Sequence, residues 1–593
     1  MSEYKKIRVS KVAFVCCMAL LFMIIFLSST FFLTSKRHIP NTEKDQYNLA
    51  LRGSIITKDN FTLASSREIY RAEIDLRSIK KDRLELFLKL FQIYSGIDDR
   101  QILEIKKRIQ NHKKRNHNFI LTSHLNSKQA SYLRDLAKKL YIQGFFKAFT
   151  NNNGRVETRG LSIIEHREDR SYITTDSLTP AIGYTRVLLE NEIFKNIGVK
   201  GLERAYDACL SPLQDEKIQG LKDIGGNIIL NSSSLRQRKI NGCDLYLNVS
   251  LKLQKSIEKA IDQRNLDLKA QEIIVAIMES KTGKILALAS SRRYNPQNRG
   301  KDLSVLNASA IEYSYEAGSV IKPFILTTAL KLGRLKANEL INTHGGTYKL
   351  GRFTIQDDHK KNKMTIEEVI TLSSNVGMIQ IAKRLSNVEI ISGLKIFKFG
   401  EKSGIDLPYE QKGTLPNPKR LREIEKSVLS YGYGLKTTFM QLLSAYNVFN
   451  NEGYFIAPQL AEKFYQDGKF TELGAIQKEK ILSTEAAGAM RQILINVIEK
   501  GTGKKAQTEG IIIGGKTGTA RIAERQGYTS NRYNSSFFGF ANDANNAYTI
   551  GVLVRNPTKP YSYYAAQSAL PMFKDVVDIL VRENFLTPSL IRS

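Results

Sequence analysis

A chain of 593 residues with 42% hydrophobic and 25% charged side chains has apolar material for two or more packed cores, which excludes a disordered or fibrous protein. Lys and Arg number 89 against 58 Asp and Glu, a formal charge of +31; this favours an anionic neighbour such as a membrane surface or an anionic polymer, although a generally basic proteome gives the same balance. Nucleic acid is not that neighbour, because the chain has no RNA-binding aromatic signature, zinc-finger spacing or basic-zipper heptads.

The N-terminal MSEYKKIRVSK carries Lys5, Lys6, Arg8 and Lys11, and 22 uncharged residues follow at 12–33, VAFVCCMALLFMIIFLSSTFFL. At ~1.5 Å per residue such a helix runs ~33 Å, about the hydrocarbon thickness of a bilayer. A secretory signal has an apolar run of only about 7–15 residues and then a small-residue cleavage motif. Residues 12–33 are longer and lack that motif, so they read as an uncleaved anchor. Lys36 and Arg37 put positive charge on the far flank as well, yet four basic residues in so short an N-terminus favour a cytoplasmic tail at 1–11 and an exported remainder. Cys16 and Cys17 lie in the anchor. Cys209 and Cys243 have no CxxC partner; one disulfide and two free thiols both fit an exported domain, and no zinc site is indicated.

Residues 34–48, TSKRHIPNTEKDQYN, read as a polar linker. RGSIIT at 52–57 and YRAEIDL at 70–76 read as short strands. Apolar residues then recur every three or four positions in LRSIKKDRLELFLKLFQIY, DDRQILEIKKRIQ and NSKQASYLRDLAKKL, so helices are expected across 77–150, with the basic NHKKRNH at 111–117 a solvated turn. GLERAYDACL occupies 201–210, and Gly- and Ser-bearing stretches near 219–235 mark a boundary before about residue 244. Beyond it, IIVAIMES and KILALASS read as two strands joined by a turn containing Gly283. Helices follow, strands return in IIIGGKTGTARIA, NSSFFGFAN and YTIGVLVR, and FKDVVDILVRENF closes the chain. Strands at both ends of a segment with helices between them predict an α/β sandwich whose sheet is completed late.

Three short patterns carry chemistry. In YEAGSVIKPF, Ser319 follows Gly318 as a candidate helix N-cap, and Pro323 is tolerable only near a helix start. Ser319 and Lys322, three residues apart, share one helix face, where the amine can hydrogen-bond the hydroxyl. Lys322 acts as a base only if burial or a second cation brings its pKa down from ~10.4 towards ~7. On this spacing alone, a capping serine and a snorkelling lysine are the commoner arrangement. In TLSSNVGM, a loop after a helix opened by the capping box Thr365–Glu368 presents the Ser373 hydroxyl, Ser374 and the Asn375 amide together. In IIIGGKTGTA, Lys516, Thr517, Gly518 and Thr519 follow a β-branched run; glycine admits a substrate backbone, and lysine and threonine hold a carboxylate. GIIIGGKT at 510–517 also matches the P-loop pattern, but the polar AQTE before it and the isoleucines within it do not suit a phosphate-cradling loop.

S-x-x-K, S-x-N and K-T-G in this order form the set shared by β-lactamases and penicillin-binding proteins. The chain resembles a class B penicillin-binding protein, a membrane-anchored peptidoglycan transpeptidase, over nearly its whole length. Arg52-Gly53 with Leu63-Ala64-Ser65, Gly201-Leu202-Glu203 with Tyr206, Lys281-Thr282-Gly283, Gly432-Tyr433-Gly434 and Gly501-Thr502-Gly503 are similar to further blocks of that family. It departs from the family pattern at Ala317, which replaces a proline, at Val320-Ile321, and at the turn Thr57-Lys58-Asp59-Asn60.

The resemblance implies a penicillin-binding, serine β-lactamase-like α/β transpeptidase domain at 244–590, an elongated α+β pedestal or dimerisation module at 34–240 and one transmembrane helix at 12–33. It implies that Ser319 attacks the D-Ala-D-Ala carbonyl of a stem peptide and Lys322 takes its proton. Ser373, with Lys516 nearby, would relay a proton to the departing D-alanine. Asn375 would hold the donor amide, and Thr517, Gly518 and Thr519 would form the carboxylate site. The backbone N–H groups of Ser319 and Thr519 would form the oxyanion hole, worth ~10²–10³ in rate per donor. No cofactor, metal or histidine is required, and none of the seven histidines lies beyond His359. Expected partners are peptidoglycan stem peptides, β-lactams and membrane-embedded division proteins, including a lipid-linked glycan polymerase; the expected location is the bacterial inner membrane. Asn375 and Ser430-Tyr431-Gly432-Tyr433-Gly434 resemble the division type. Elongation-type, bifunctional, β-lactamase, β-lactam-sensor and non-catalytic scaffold alternatives share part of this pattern.

Overall fold

The computed structural model describes residues 2–35, 43–112, 119–150, 156–157, 160–190, 193–221, 228–232, 234–474, 476–523, 527–528 and 531–589. The chain divides into two compact units, one of Met1–Ala50 with Gln214–Ile240 and one of Leu51–Leu213 with Asn241–Ser593.

In the first unit a single helix covers Ser2–Ser35. Its stretch Lys11–Phe32 is long and apolar enough to cross a membrane and buries none of its surface within the chain. The same unit holds a three-stranded antiparallel sheet in which Glu216–Leu221 pairs with both Glu43–Asn48 and Leu235–Gln237. The end of the expected linker is therefore a strand. The strand itself, EKDQYN, is polar and is tied by side-chain bonds, with Asn48 Nδ2 donating to Glu216 at 2.6 Å and Gln219 Nε2 donating to Asp45 at 2.9 Å, so no apolar alternation reveals it. Residues 36–42 of that linker and most of the basic turn expected at 111–117 lie outside the described residues.

In the second unit, the expected early strands are Ile55–Ile56 and Thr62–Ile74, and the latter pairs with both Phe119–Leu125 and Leu161–Tyr172. The predicted helices are Leu84–Ser95, Asp99–Gln110 and Ser127–Ile142, the last two opened by capping boxes at Asp98/Gln101 and Asn126/Gln129. Their apolar faces, including Phe87, Phe91, Ile102 and Leu133, bury against Tyr70, Ala72 and Ile74 of the long strand. Arg52 is fully buried and lies between carboxylates: its Nε donates to Glu203 at 2.8 Å and its Nη1 to Asp207 at 2.7 Å. Breaking such a pair from one side strands a buried charge. Beside it, Cys209 and Cys243 form a disulfide with Cα atoms 5.4 Å apart, which decides between the two alternatives open from sequence.

A five-stranded antiparallel sheet forms the centre of the unit. We label its strands β1 (Glu272–Glu279), β2 (Ile285–Ser290), β3 (Ile512–Arg521), β4 (Tyr533–Asn542) and β5 (Ala547–Arg555); their order in space is β2-β1-β5-β4-β3. The late return of strands in the sequence is thus what completes the sheet, as expected. β1 is apolar throughout because both its faces are covered. Ile273, Val275 and Ile277 enter a core with helices α1 (Leu251–Leu268) and α7 (Ala569–Arg582), whereas Ile274, Ala276 and Met278 enter the opposite one. That second core holds α2 (Lys322–Lys331), α3 (Ile366–Thr371), α4 (Asn375–Ala382), α5 (Phe439–Asn450) and α6 (Thr484–Glu499). β3 is an edge strand, so one side of it faces the groove in which the three motifs meet. Residues 510–517 are no P-loop, since Lys516 lies within this strand.

Candidate active site

Ser319 is not the side-chain cap expected. It sits inside a 3₁₀ turn, Gly318–Ile321, that precedes α2, and the turn carries no side-chain cap bond. Gly318, at φ +62°, lets the chain reverse there, a conformation costly for any residue with a Cβ. Its N–H donates to Gly432 O at 3.1 Å, which seats the turn on the Ser430–Gly434 loop. Tyr446 of α5 donates its hydroxyl to Val320 O at 2.7 Å from the buried side. The turn is thus held through its backbone, and Ser319, half-buried, does not spend its hydroxyl on capping. Pro323 falls at the start of α2, as expected.

Lys322 opens α2 and is fully buried. Its Nζ donates to Ser373 O at 2.7 Å, Ser373 Oγ at 3.2 Å and Asn375 Oδ1 at 2.8 Å. None of its hydrogen bonds among the described residues goes to Ser319 Oγ. Lys516, also fully buried, donates to the same Ser373 Oγ at 2.9 Å and reaches Thr517 O and Oγ1 at 3.3 Å. One hydroxyl therefore bridges two amines from segments far apart in sequence. Burial, then the nearby Lys516 charge, holds Lys322 well below the ordinary lysine value, opposed by Asp357 and Asp358. Burial lowers Lys516 from 10.5 to about 7. Both changes favour a neutral amine, the form able to accept a proton.

The remaining predicted residues gather at the same place. The capping box Thr365–Glu368 opens α3, as predicted. The chain then passes through Ser373 at φ +58° to Ser374, whose Oγ accepts from Gly377 N at 2.8 Å as the N-cap of α4. Thr517 and Thr519 alternate with Lys516 and Gly518 along β3. Thr517 Oγ1 lies 3.3 Å from Thr502 Oγ1, whereas Thr519 Oγ1 accepts from Ala565 N at 3.1 Å. An ideal Cβ on Gly518 would lie 2.8 Å from Val320 Cγ1, so β3 passes directly against the Ser319 turn. Sequence reasoning missed Asp357 and Tyr446. Neither belongs to a motif, and only their contacts reveal them. Among the described residues no cluster of three or more His, Cys, Asp or Glu could hold a metal ion.

Two buried amines on one serine hydroxyl can move protons without an imidazole. The penicillin-binding protein transpeptidase domain matches residues 273–578, and the penicillin-binding protein dimerisation domain matches 47–247. The chain belongs to the class B penicillin-binding proteins. It is 29% identical over 422 residues to the probable peptidoglycan D,D-transpeptidase PenA of Neisseria meningitidis, covering 70% of this chain and 68% of that one. It is 26% identical over 425 residues to the peptidoglycan D,D-transpeptidase FtsI of Escherichia coli, covering 71% and 68%. The fold is shared with penicillin-binding protein 2X of Streptococcus thermophilus, at a TM-score of 0.71 and 20% identity over 90% of this chain and 80% of that one. Penicillin-binding protein 3 of Mycobacterium tuberculosis gives a TM-score of 0.64 at 20% identity over 92% and 98%.

Proposed function

We propose that this chain is a membrane-anchored peptidoglycan D,D-transpeptidase that crosslinks stem peptides through an acyl-enzyme on Ser319, at the division septum. One observation carries the mechanism: Ser373 Oγ accepts hydrogen bonds from both Lys322 and Lys516, and Lys322 follows by three residues Ser319, whose hydroxyl is left out of capping. Ser319 Oγ attacks the carbonyl between the two D-alanines of a donor peptide, and its proton passes to neutral Lys322. The N–H groups of Ser319 and Thr519 take the oxyanion. The C–N bond then breaks, and the departing D-alanine receives a proton through Ser373 and Lys516. Thr517, Gly518 and Thr519 hold the terminal carboxylate, and Asn375 the donor amide. An acceptor amine attacks the ester, forms the crosslink and returns the proton to Ser319. A β-lactam enters the same first step and stays as the ester.

Residues 1–11 form a cytoplasmic tail, 12–33 the anchor, 34–240 the pedestal and 244–590 the transpeptidase domain of a single-pass inner-membrane protein whose catalytic domain lies outside. Anchor and pedestal meet membrane-embedded division proteins, including a lipid-linked glycan polymerase. The septal role is supported by Asn375 and by the Ser430–Gly434 loop, which resemble the division type; an elongation role is the alternative. Intact-mass analysis after penicillin treatment should show one adduct, absent in Ser319→Ala; an adduct persisting in that variant rejects the nucleophile. Depletion should give elongated, unseptated cells with a fluorescent fusion at midcell, whereas swollen cells with label along the side wall reject the septal role.

A further inference from the structure

Asp357 follows the strand Phe353–Gln356 and is buried, with its N–H donating to Gly346 O at 2.8 Å. Its carboxylate is spent on the second motif. It accepts from the Ser374 hydroxyl, from Asn375 N–H at 2.6 Å and from Val376 N–H at 3.1 Å. Those two N–H groups belong to the first turn of α4, where no intrahelical acceptor exists. A carboxylate there satisfies them and opposes the positive end of the helix.

The residue just before this clamp is Ser373, at φ +58°. A non-glycine residue in that region is strained and persists where its surroundings over-determine it. Ser373 N–H to Ile370 O at 3.1 Å and Ser374 N–H to Val369 O at 2.9 Å tie it to α3 from one side. Asp357 ties it from the other. Between those ties, Ser373 Oγ meets both lysines and Asn375 Oδ1 meets Lys322.

We propose that Asp357 is a positioning residue of the transpeptidation site: it locks Ser373 and Asn375 onto Lys322, and its negative charge balances the buried amine pair. It acts through Ser374 and the first turn of α4. The charged groups acting on Lys322 are Lys516, Asp357 and the exposed Asp358, and the two carboxylates favour the ammonium. Asp358, in water, is screened more than buried Asp357. Removing the Asp357 charge therefore lets neutral Lys322 persist to lower pH.

This inference rests on the proposed acyl-enzyme chemistry, and the test separates the two. Acylation of the full-length protein by a labelled penicillin is measured from pH 5 to pH 9. In Asp357→Asn the acid limb should move to lower pH, while the plateau rate falls by about tenfold to a hundredfold through loosened geometry. Ser374→Ala keeps the charge and removes one tie, so its plateau should fall with the limb in place. A limb unmoved in folded Asp357→Asn overturns the proposal, whatever its rate. If Asp357→Asn does not fold, Ser374→Ala decides: unchanged acylation overturns it, and a lowered plateau at an unchanged melting temperature supports it. Ser319→Ala is the control, since an adduct surviving there rejects the chemistry rather than the role of Asp357.

Discussion

Lys516 should be replaceable by methionine with a gain in stability that depends on pH. In the folded protein its amine titrates at about 7 because it is fully buried in β3, whereas in the unfolded chain it titrates near 10.5. Between those two values the unfolded state binds a proton that the folded state lacks, so stability rises with pH across that window. Below about pH 7 the folded state carries the whole cost of the buried charge. The difference between 10.5 and about 7, at about 1.4 kcal/mol per pH unit, sets an upper scale of about 5 kcal/mol. Lys516→Met keeps the length and apolar stem but loses the bond to Ser373 Oγ at 2.9 Å and the longer ones to Thr517 at 3.3 Å. At about 1 kcal/mol each, these three reduce the gain to at most about 2 kcal/mol at pH 6. Near pH 10 the charge term is nearly gone and the lost bonds leave the variant slightly less stable. Calorimetry of the full-length protein in detergent from pH 6 to pH 10 should show a melting temperature above wild type at pH 6, converging and then crossing. A variant less stable at pH 6, or a difference independent of pH, refutes the buried-amine argument. The same substitution should slow acylation, a trade of activity for stability.

Lys322→Ala should reduce stopped-flow acylation by about 10²–10⁴, the usual worth of a proton-transfer group, and Lys516→Arg by less because Lys322 remains to take the proton; the reverse order would contradict the assignment. Gly518→Ala places a Cβ 2.7 Å from Ser536 Oγ and 2.8 Å from Val320 Cγ1, so either those side chains or β3 must shift where the strand meets the Ser319 turn. Penicillin acylation should fall at least about tenfold, with about 1–3 kcal/mol of overpacking seen as a lower melting temperature. Paired replacement of Cys209 and Cys243 by serine opens a cross-link with a sequence separation of 34, worth about 3–4 kcal/mol in the loop-entropy account. Wild-type protein under reductant should match that variant, and a melting temperature indifferent to both would exclude a stabilising bridge.

Much of this molecule is written in local pattern. Ser319 and Lys322 are one turn apart, so their spacing alone places them together, and Pro323 marks where the helix must begin. The capping box Thr365–Glu368, the helical stripes around Phe87 and Leu133, and the apolar runs of β1 and β5 are likewise short-range signals with a fixed period. The family motifs supplied the rest of the predicted site, because reactive side chains recur in compact words even where the surrounding chain has diverged. Interactions between distant segments decided what pattern cannot carry. Ser373 meets Lys516 across 143 positions, and Arg52 meets Glu203 across 151. The polar strand at Glu43–Asn48 exists through pairing with a strand more than 160 residues away, and it has no apolar signature of its own. Cys209 and Cys243 became a pair only when the backbone brought their Cα atoms to 5.4 Å. Ser319 lost its expected capping role to a 3₁₀ turn whose backbone is held by Gly432 and Tyr446. Asp357, one of two adjacent aspartates in an unremarkable stretch, gained its role because folding buried it against the N-terminus of α4. Sequence declares which groups are reactive, since that is a property of the side chains; the depressed amines, the bridging hydroxyl and the clamp arise from burial and proximity, which exist only once the chain has folded.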